Sequence, residues 1–392
     1  MSAARANILV VDDIEDNRNI LIRRMRRLGV EGCAEAADGV AALEHIRANP
    51  VDLVLLDVMM PRMGGVEVLE TLKQEGRLED TSVIMISAAS EIETVVRCLE
   101  LGADDYLPKP FDPAILRARV GSVLEKKFLR AEVRAQLKRL EAELAHARRQ
   151  QLAMVPTDFR ALEGRLDIHA IMRPAYEVGG DLYDFFFLTP DVVCLAIGDV
   201  SGKGMPAALF MARTRSLLRA GALQFQSIAG RPPLPSELAT LLNEELCKNN
   251  DDCMFMTLIA GFLDLASGSF SYVNAGHLPP LLLRASGARE VDSTVDPPLG
   301  VADDIVYRDN VIQLALEDAL VFITDGLSEM EDVDQNMYSA ARLLKDLTEV
   351  PGLSACTIAE HLVACVFAHA DVAPQFDDVT VLALRRVASA VT

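Results

Sequence analysis

Ile197-Gly198-Asp199-Val200-Ser201-Gly202-Lys203-Gly204 closes an apolar run, Val192 to Ile197, whose length and composition predict a buried strand. Three glycines then carry the chain into Met205 to Ala220, an apolar segment that predicts a helix. A carboxylate at a strand end, followed by a turn with little side-chain bulk, lets a metal ion or a phosphate come close to the backbone. A phosphate-cradling P-loop is excluded by spacing. Only three residues separate Gly198 from the Gly202-Lys203 pair, and Gly204 stands where a Ser or Thr would bind magnesium. Asp199 is therefore a candidate metal ligand, and its partners must be sought elsewhere in the chain.

Outward from this stretch, residues 156–392 contain further apolar runs of strand length: Asp167 to Met172, Met256 to Leu263, Phe270 to Asn274, Pro280 to Arg284, Ala319 to Thr324 and Val379 to Leu384. Helical spacing covers Leu234 to Cys247, Ser339 to Glu349 and Ala355 to Ala368. Many strands with few helices predict an α/β sandwich of paired sheets flanked by helices. Asp181 follows Gly179-Gly180, Asp325-Gly326 follows one run, and Asp377-Asp378 precedes the last. Acids at separate strand edges suit a two-metal site, where carboxylates hold hard cations that lower the pKa of a shared water. With 6 histidines in the chain, zinc is disfavoured. Cys194 and Cys253 lie in or beside apolar runs and are expected in the core, not as nucleophiles.

These acids and their neighbours, Val178-Gly-Gly-Asp181-Leu-Tyr-Asp184, Ile197 to Gly204, Asn274-Ala-Gly-His277-Pro-Pro, Thr324-Asp325-Gly326 and Asp377-Asp378-Val-Thr380, resemble the metal-dependent PPM (PP2C-type) protein phosphatases. The resemblance is strongest to the bacterial branch that includes SpoIIE and RsbU. It implies that Asp181, Asp199, Asp325 and Asp377 are the catalytic metal ligands for two Mn²⁺ or Mg²⁺ ions. It further implies that Asp199 bridges them and that the Val200 carbonyl completes one shell. Asp378 stands where relatives often have Asn. Tyr176 stands where eukaryotic relatives place a phosphate-binding arginine, which leaves Arg173 and Lys203 as candidates for that contact, each also readable as a surface or structural residue. His277 is expected to brace a turn.

Residues 1 to about 120 alternate strand and helix: Asn7 to Val11, Asp52 to Leu56, Val83 to Ser87 and Ala103 to Leu107 read as strands, and Asp16 to Leu28 as a helix. Alternation predicts a parallel sheet whose functional groups collect at the carboxyl ends of its strands. Asp12, Asp13, Asp57, Ser87 and Lys109 all fall there. Convergent carboxylates call for a hard cation. A nearby lysine and hydroxyl suit an aspartate that accepts a phosphoryl group. Val-Val-Asp-Asp, Leu-Leu-Asp57-Val-Met-Met-Pro, Ile-Ser87-Ala-Ala and Tyr106-Leu-Pro-Lys109-Pro110 resemble a response-regulator receiver domain, a flavodoxin-like fold with a five-stranded parallel sheet. The resemblance implies that Asp57 is the phosphoacceptor and that Asp12, Asp13 and Asp57 hold Mg²⁺. It makes Ser87 and Tyr106 the switch pair, puts Lys109 on the phosphoryl group and leads us to expect a cis Lys109-Pro110 bond.

Between Ser122 and Pro156 the chain has no glycine or proline. Val123, Arg130, Leu137, Leu144 and Gln151 would be a positions and Lys126, Val133, Leu140, Ala147 and Met154 d positions, a seam good in the middle and poor at both ends. A short parallel coiled coil is expected, with one amphipathic helix packed on a neighbouring domain as the alternative. The domains expected are a receiver at 1–121, a helical coiled-coil linker at 122–155 and a phosphatase at 156–392.

A net charge of −20 disfavours nucleic acid and anionic membranes as partners and, without a basic recognition helix, a DNA-binding output. Seven cysteines with no CxxC pair, a start that is not a signal sequence and no membrane-length apolar run predict a cytoplasmic protein. The expected function is a response regulator whose phosphatase output acts on a STAS-type anti-sigma factor antagonist. A sensor histidine kinase phosphorylates Asp57, and the linker helix makes a homodimer. The alternative is a catalytically weak or inactive adaptor that binds a sigma factor or a protease.

Overall fold

The computed structural model describes residues 6–88, 92–110, 112–159, 164–350 and 352–387, and it divides into two compact units, Met1–Glu141 and Ala142–Thr392. In the first, β1 (Asn7–Val11), α1 (Glu15–Arg27), β2 (Gly32–Ala36), α2 (Gly39–Ala48), β3 (Leu53–Asp57), α3 (Gly65–Gln74), β4 (Ser82–Ala88), α4 (Ile92–Leu101), β5 (Asp105–Lys109) and α5 (Pro113–Leu152) follow in order. All strand pairs are parallel, in the order β2-β1-β3-β4-β5. Strand periodicity explains the burial: Leu9, Val11, Val54 and Leu56 pack on one face, and Ile8, Val10, Leu53 and Leu55 on the other. This is the flavodoxin-like sheet expected. β2 went unread in the sequence because Gly32-Cys-Ala-Glu-Ala36 carries little apolar bulk.

Helix α5 runs unbroken from Pro113, earlier than the linker start read from composition. Its Leu116, Val120, Val123 and Leu124 are buried against the sheet of the first unit. Lys127 pairs with Asp52, and Arg130 and Arg134 lie 3.7 Å and 3.2 Å from Asp104 and Glu79. The heptad ends are therefore used within the units: Val123 in this core, and Gln151 buried in the second unit. Val133, Leu137 and Leu140 form the exposed middle of the seam.

The second unit holds β6 (Asp167–Arg173), β7 (Leu182–Thr189), β8 (Val192–Val200), α6 (Met205–Ala229), α7 (Pro235–Cys247), β9 (Met256–Asp264), β10 (Ser269–Ala275), β11 (Leu281–Arg284), β12 (Gly287–Glu290), β13 (Asn310–Gln313), β14 (Ala319–Ile323), α8 (Asp325–Ser328), α9 (Ala340–Thr348), α10 (Ala355–Ala370) and β15 (Val379–Arg385). Two antiparallel sheets, β13-β10-β9-β8-β7 and β12-β11-β14-β15-β6, form the sandwich expected. Along β14, Leu320 and Phe322 face the intersheet core, while Ala319, Val321 and Ile323 meet α9 and α10. β12 and β13 are four-residue strands with polar composition and gave no sequence signal. β7 was missed because Asp184 interrupts its apolar run. Its carboxylate is fully buried and is tolerated because Arg219 grips both oxygens at 2.6 Å and Arg215 approaches to 3.1 Å.

Cys194 is buried, as expected, but Cys253 is exposed. It sits at φ +52° in the loop before β9, so chain reversal rather than packing governs that position. Among the described residues no helix is long and apolar enough to cross a membrane.

Candidate active site

Parallel strands place Asp12, Asp13, Asp57, Ser87 and Lys109 along one sheet edge. Oxygens of Asp12, Asp13 and Asp57 lie within 4.8 Å of one another. Lys109 Nζ is 2.9 Å from Asp12 Oδ2 and 2.9 Å from Asp57 Oδ1. Burial pushes Asp57 up to about 6, against the pull of Lys109, and the charges of Asp12 and Asp13 add to the rise. Three carboxylates with one ammonium leave an excess of negative charge that fits a hard divalent cation. Ser87 Oγ is buried without a hydrogen-bond partner among the described residues, and half-buried Tyr106 lies on neighbouring β5 with the Arg119 guanidinium 5.2 Å from its ring centre. The Lys109-Pro110 peptide is cis. Asn17 was read from the sequence only as a cap candidate, and Arg18 had no role there. Asn17 Nδ2 donates to Asp12 Oδ1 at 3.0 Å, and Arg18 donates to the Asp12 carbonyl at 2.8 Å, so the first turn of α1 anchors the acid pair.

In the second unit, the acids lie where strand ends of the two sheets meet. Asp181 precedes β7 and Asp199 is in β8, both in one sheet. Asp325 follows β14 and Asp377 precedes β15, both in the other. Hydroxyls bridge the sheets: Thr324 Oγ1 donates to Asp181 Oδ2 at 2.9 Å, Thr380 Oγ1 donates to the same oxygen, and Thr380 N donates to Thr324 Oγ1 at 3.0 Å. Gly180 has no side chain because a Cβ there would stand 2.9 Å from the Val200 carbonyl oxygen and 3.3 Å from Asp199 Oδ1.

Among the described residues, Asp181 Oδ1 is buried with no donor. Burial, then the charges of Asp199 and Asp378, hold Asp181 well above the usual carboxylate range. Asp199 is pushed up to about 7 by burial, then by Asp325, Asp377 and Asp378. Asp325 is raised by burial, then by Asp377 and Glu329. The mutual repulsion and the orphaned oxygen fit divalent cations held by oxygen ligands. Among the described residues, however, Asp181, Asp199, Asp325 and Asp377 do not supply three oxygens within 4.8 Å of one another. Half-exposed Asp377 instead pairs with Lys203, whose Nζ lies 2.9 Å from its Oδ2.

Of the two candidate phosphate contacts, Lys203 thus touches the acid group, with its Nζ 5.7 Å from the Tyr176 ring centre. Arg173 stacks at 5.0 Å over Phe367. His277 braces a turn as expected: its N–H donates to Asn274 Oδ1 at 2.8 Å and Asn274 Nδ2 returns a bond to the His277 carbonyl at 3.0 Å. Asp378 is no free acid. Its oxygens accept from Ala175 N and Gly180 N at 2.8 Å each, a bidentate role that one amide oxygen cannot fill. Thr324 and Thr380 stood in the sequence motifs without a role. Gln151, read from the sequence as a heptad a position, instead grips Gly179.

The family model described as stage II sporulation protein E (SpoIIE) matches residues 189–387, taking in Asp199, Asp325 and Asp377, and the response regulator receiver domain model matches residues 8–121. Protein IcfG of Synechocystis sp. is 29% identical over 282 residues, covering 67% of this chain and 44% of that protein. A probable transcriptional regulator, ycf27 of Porphyridium aerugineum, is 41% identical over 122 residues, covering 31% of this chain and 49% of its own length. The chain thus spans less than half the length of both relatives. The SiaA-PP2C domain of Pseudomonas aeruginosa shares the fold of the second unit, with a TM-score of 0.56 at 20% identity over 64% of this chain and 98% of that domain. With its model matched over just over half of the residues, the chain belongs to the SpoIIE family, and it carries a response regulator receiver domain in its N-terminal part.

Proposed function

We propose that this protein is a cytoplasmic two-component response regulator whose output is a metal-dependent phosphoprotein serine/threonine phosphatase. The observation that carries the reading is the buried Oδ1 of Asp181, without a donor among the described residues, beside the raised carboxyl of Asp199. Burying like charges together is costly unless a cation offsets them. Asp181, Asp199, Asp325, Asp377 and the Val200 carbonyl would hold two Mn²⁺ or Mg²⁺ ions, which when bound supply an activated water and charge neutralisation for phosphomonoester hydrolysis. Thr324 and Thr380 hold the Asp181 carboxylate in place. Lys203, now paired with Asp377, would be the nearby cation for the substrate phosphate if metal ions took over that carboxylate.

The substrate in this reading is a phosphorylated STAS-type antagonist of an anti-sigma factor. Asp57 accepts a phosphoryl group from a sensor histidine kinase, with Mg²⁺ on Asp12, Asp13 and Asp57, Lys109 on the new oxygens, and Ser87 and Tyr106 as the switch. Residues 1–121 are the receiver, 122–155 the linker and 156–392 the phosphatase. The exposed Val133, Leu137 and Leu140 make the homodimer seam.

The test is hydrolysis of p-nitrophenyl phosphate and of a phosphoserine STAS protein by the full chain with Mn²⁺. Wild type is expected to be active, and Asp199→Ala and chelated wild type inactive. An inactive wild type would sink the reading. Adding beryllofluoride should change turnover or oligomer mass in wild type and not in Asp57→Asn. No change in either quantity refutes the switch.

A further inference from the structure

The loop that delivers Asp181 is held from both sides by side chains. On one side is Gln151, in the last turn of α5 and buried at 7% exposure. Its Nε2 donates to the Gly179 carbonyl at 2.5 Å, and Gly179 N donates back to its Oε1 at 3.1 Å. A primary amide is the side chain that offers a neutral donor and an acceptor side by side, so it can pair with one residue's N–H and C=O as a neighbouring strand would. On the other side, Asp378 accepts from Gly180 N at 2.8 Å. A Cβ on Gly179 would lie 2.0 Å from Asp378 Oδ2, so the backbone threads between the two side chains with no room for one of its own. Asp181 comes two residues after Gly179, with one oxygen tied to the second sheet by Thr324 and the other without a donor among the described residues.

We propose that Gln151 is a positioning residue for the metal site: by clamping Gly179 it fixes the direction in which Asp181 presents its free oxygen, and it ties that direction to the last turn of α5. The proposal rests on the phosphatase reading above. Removing the clamp leaves Asp181 in the chain but frees its loop to rotate, so the cost falls on cation affinity and not on substrate contact. Groups that orient metal ligands typically cost about 10–100-fold in metal affinity or activity when removed.

The experiment titrates Mn²⁺ into the full chain and reads free Mn²⁺ by electron paramagnetic resonance. All proteins carry Asp12→Asn and Asp13→Asn to silence the N-terminal acid group. Gln151→Met removes both hydrogen bonds at nearly constant length. Gln151→Glu keeps the acceptor, loses the donor and sets a carboxylate against the Gly179 carbonyl. Gln150→Met, at an exposed neighbouring position, is the control. Both Gln151 variants should bind Mn²⁺ about tenfold more weakly. Their p-nitrophenyl phosphate KM at saturating Mn²⁺ should be unchanged, and Gln150→Met should match the parent. Affinity equal to the parent in a folded Gln151 variant overturns the proposal, as does a rise in KM without a loss of affinity. If Gln151→Met fails to fold, Gln151→Glu decides. Failure of both to fold overturns the proposal in favour of a purely structural role. A parent that binds no Mn²⁺ overturns the phosphatase reading and the positioning role together, a result distinct from all of these.

Discussion

Lowering the pH should destabilise the C-terminal unit through His277. An imidazole in an unfolded chain titrates near 6.5, whereas His277 is held down to about 4, chiefly because burial disfavours the cation; a backbone hydrogen bond at Ile323 opposes this to a smaller extent. The folded value is the lower one, so the unfolded state takes up the proton first. His277 therefore costs the fold nothing above about pH 6.5, and stability is lost as pH falls from there toward about 4. The whole span is worth about 3 kcal/mol, of which about 1.4 kcal/mol is reached at pH 5.5. That pH stays clear of the isoelectric point near 4.7. For a unit of this size, about 1.4 kcal/mol lowers the midpoint by about 3–6 °C.

The assay is differential scanning calorimetry of wild type and His277→Asn at pH 8 and 5.5, in a chelating buffer so that metal occupancy does not change with pH. His277→Asn melts lower at both pH values because it loses packing and the bond to Thr257, whose Oγ1 lies 2.9 Å from Nδ1. That loss is common to both conditions. The raised carboxyls of Asp181, Asp199 and Asp325 respond to pH in the opposite sense and are present in both proteins, so they cancel in the comparison. What remains is the pH-dependent drop, about 3–6 °C larger in wild type than in the variant. Equal drops would refute the reasoning.

Three further outcomes follow from the packing. Thr380→Val removes one of two hydroxyl donors on Asp181 Oδ2 and should weaken Mn²⁺ binding by about tenfold, whereas Thr380→Ser should keep it; calorimetric titration separates these, and equal affinities would remove Thr380 from the site. Gly326→Ala would place a Cβ 2.0 Å from the Asp378 carbonyl oxygen, which is backbone and cannot swing aside; it should cost about 1–3 kcal/mol or more, and an unchanged C-terminal melting midpoint would contradict the close approach. Asp184→Asn leaves two partly buried guanidiniums facing a neutral amide and should destabilise the same unit by about 2–3 kcal/mol in urea, a figure reduced because Arg219 is 33% exposed; a change under about 0.5 kcal/mol would show that solvent screens the pair.

Much of this protein is legible in one dimension. Apolar runs bounded by Gly, Pro and Asp marked the long strands, because a strand buried on both faces must be apolar throughout. Where that condition failed, the reading failed too. β2 is too small-sided, β12 and β13 are too short, and β7 carries a buried acid. Cys253 shows the same limit from the other side, since the apolar run that follows it enters β9 only at Met256, while its own backbone makes a left-handed turn in solvent.

The acids of both candidate sites stood out in the sequence because a carboxylate beside an apolar strand is costly and therefore conspicuous. Sequence could not tell which neighbours would support them. Gln151 is 28 residues from Gly179, Thr380 is 199 from Asp181, and Asp378 is 198 from Gly180, and nothing in local composition joins them. Such partners are chosen by the meeting of two sheets and the last turn of a helix, and they are ordinary polar residues anywhere else. The opening stretch divides in the same way. Its own residues determined a strand, a turn and a carboxylate at Asp199. Only the folded sandwich decided that this carboxyl would be half-buried beside Asp181 and pushed up to about 7, because charge repulsion and desolvation depend on distances that the order of residues does not contain.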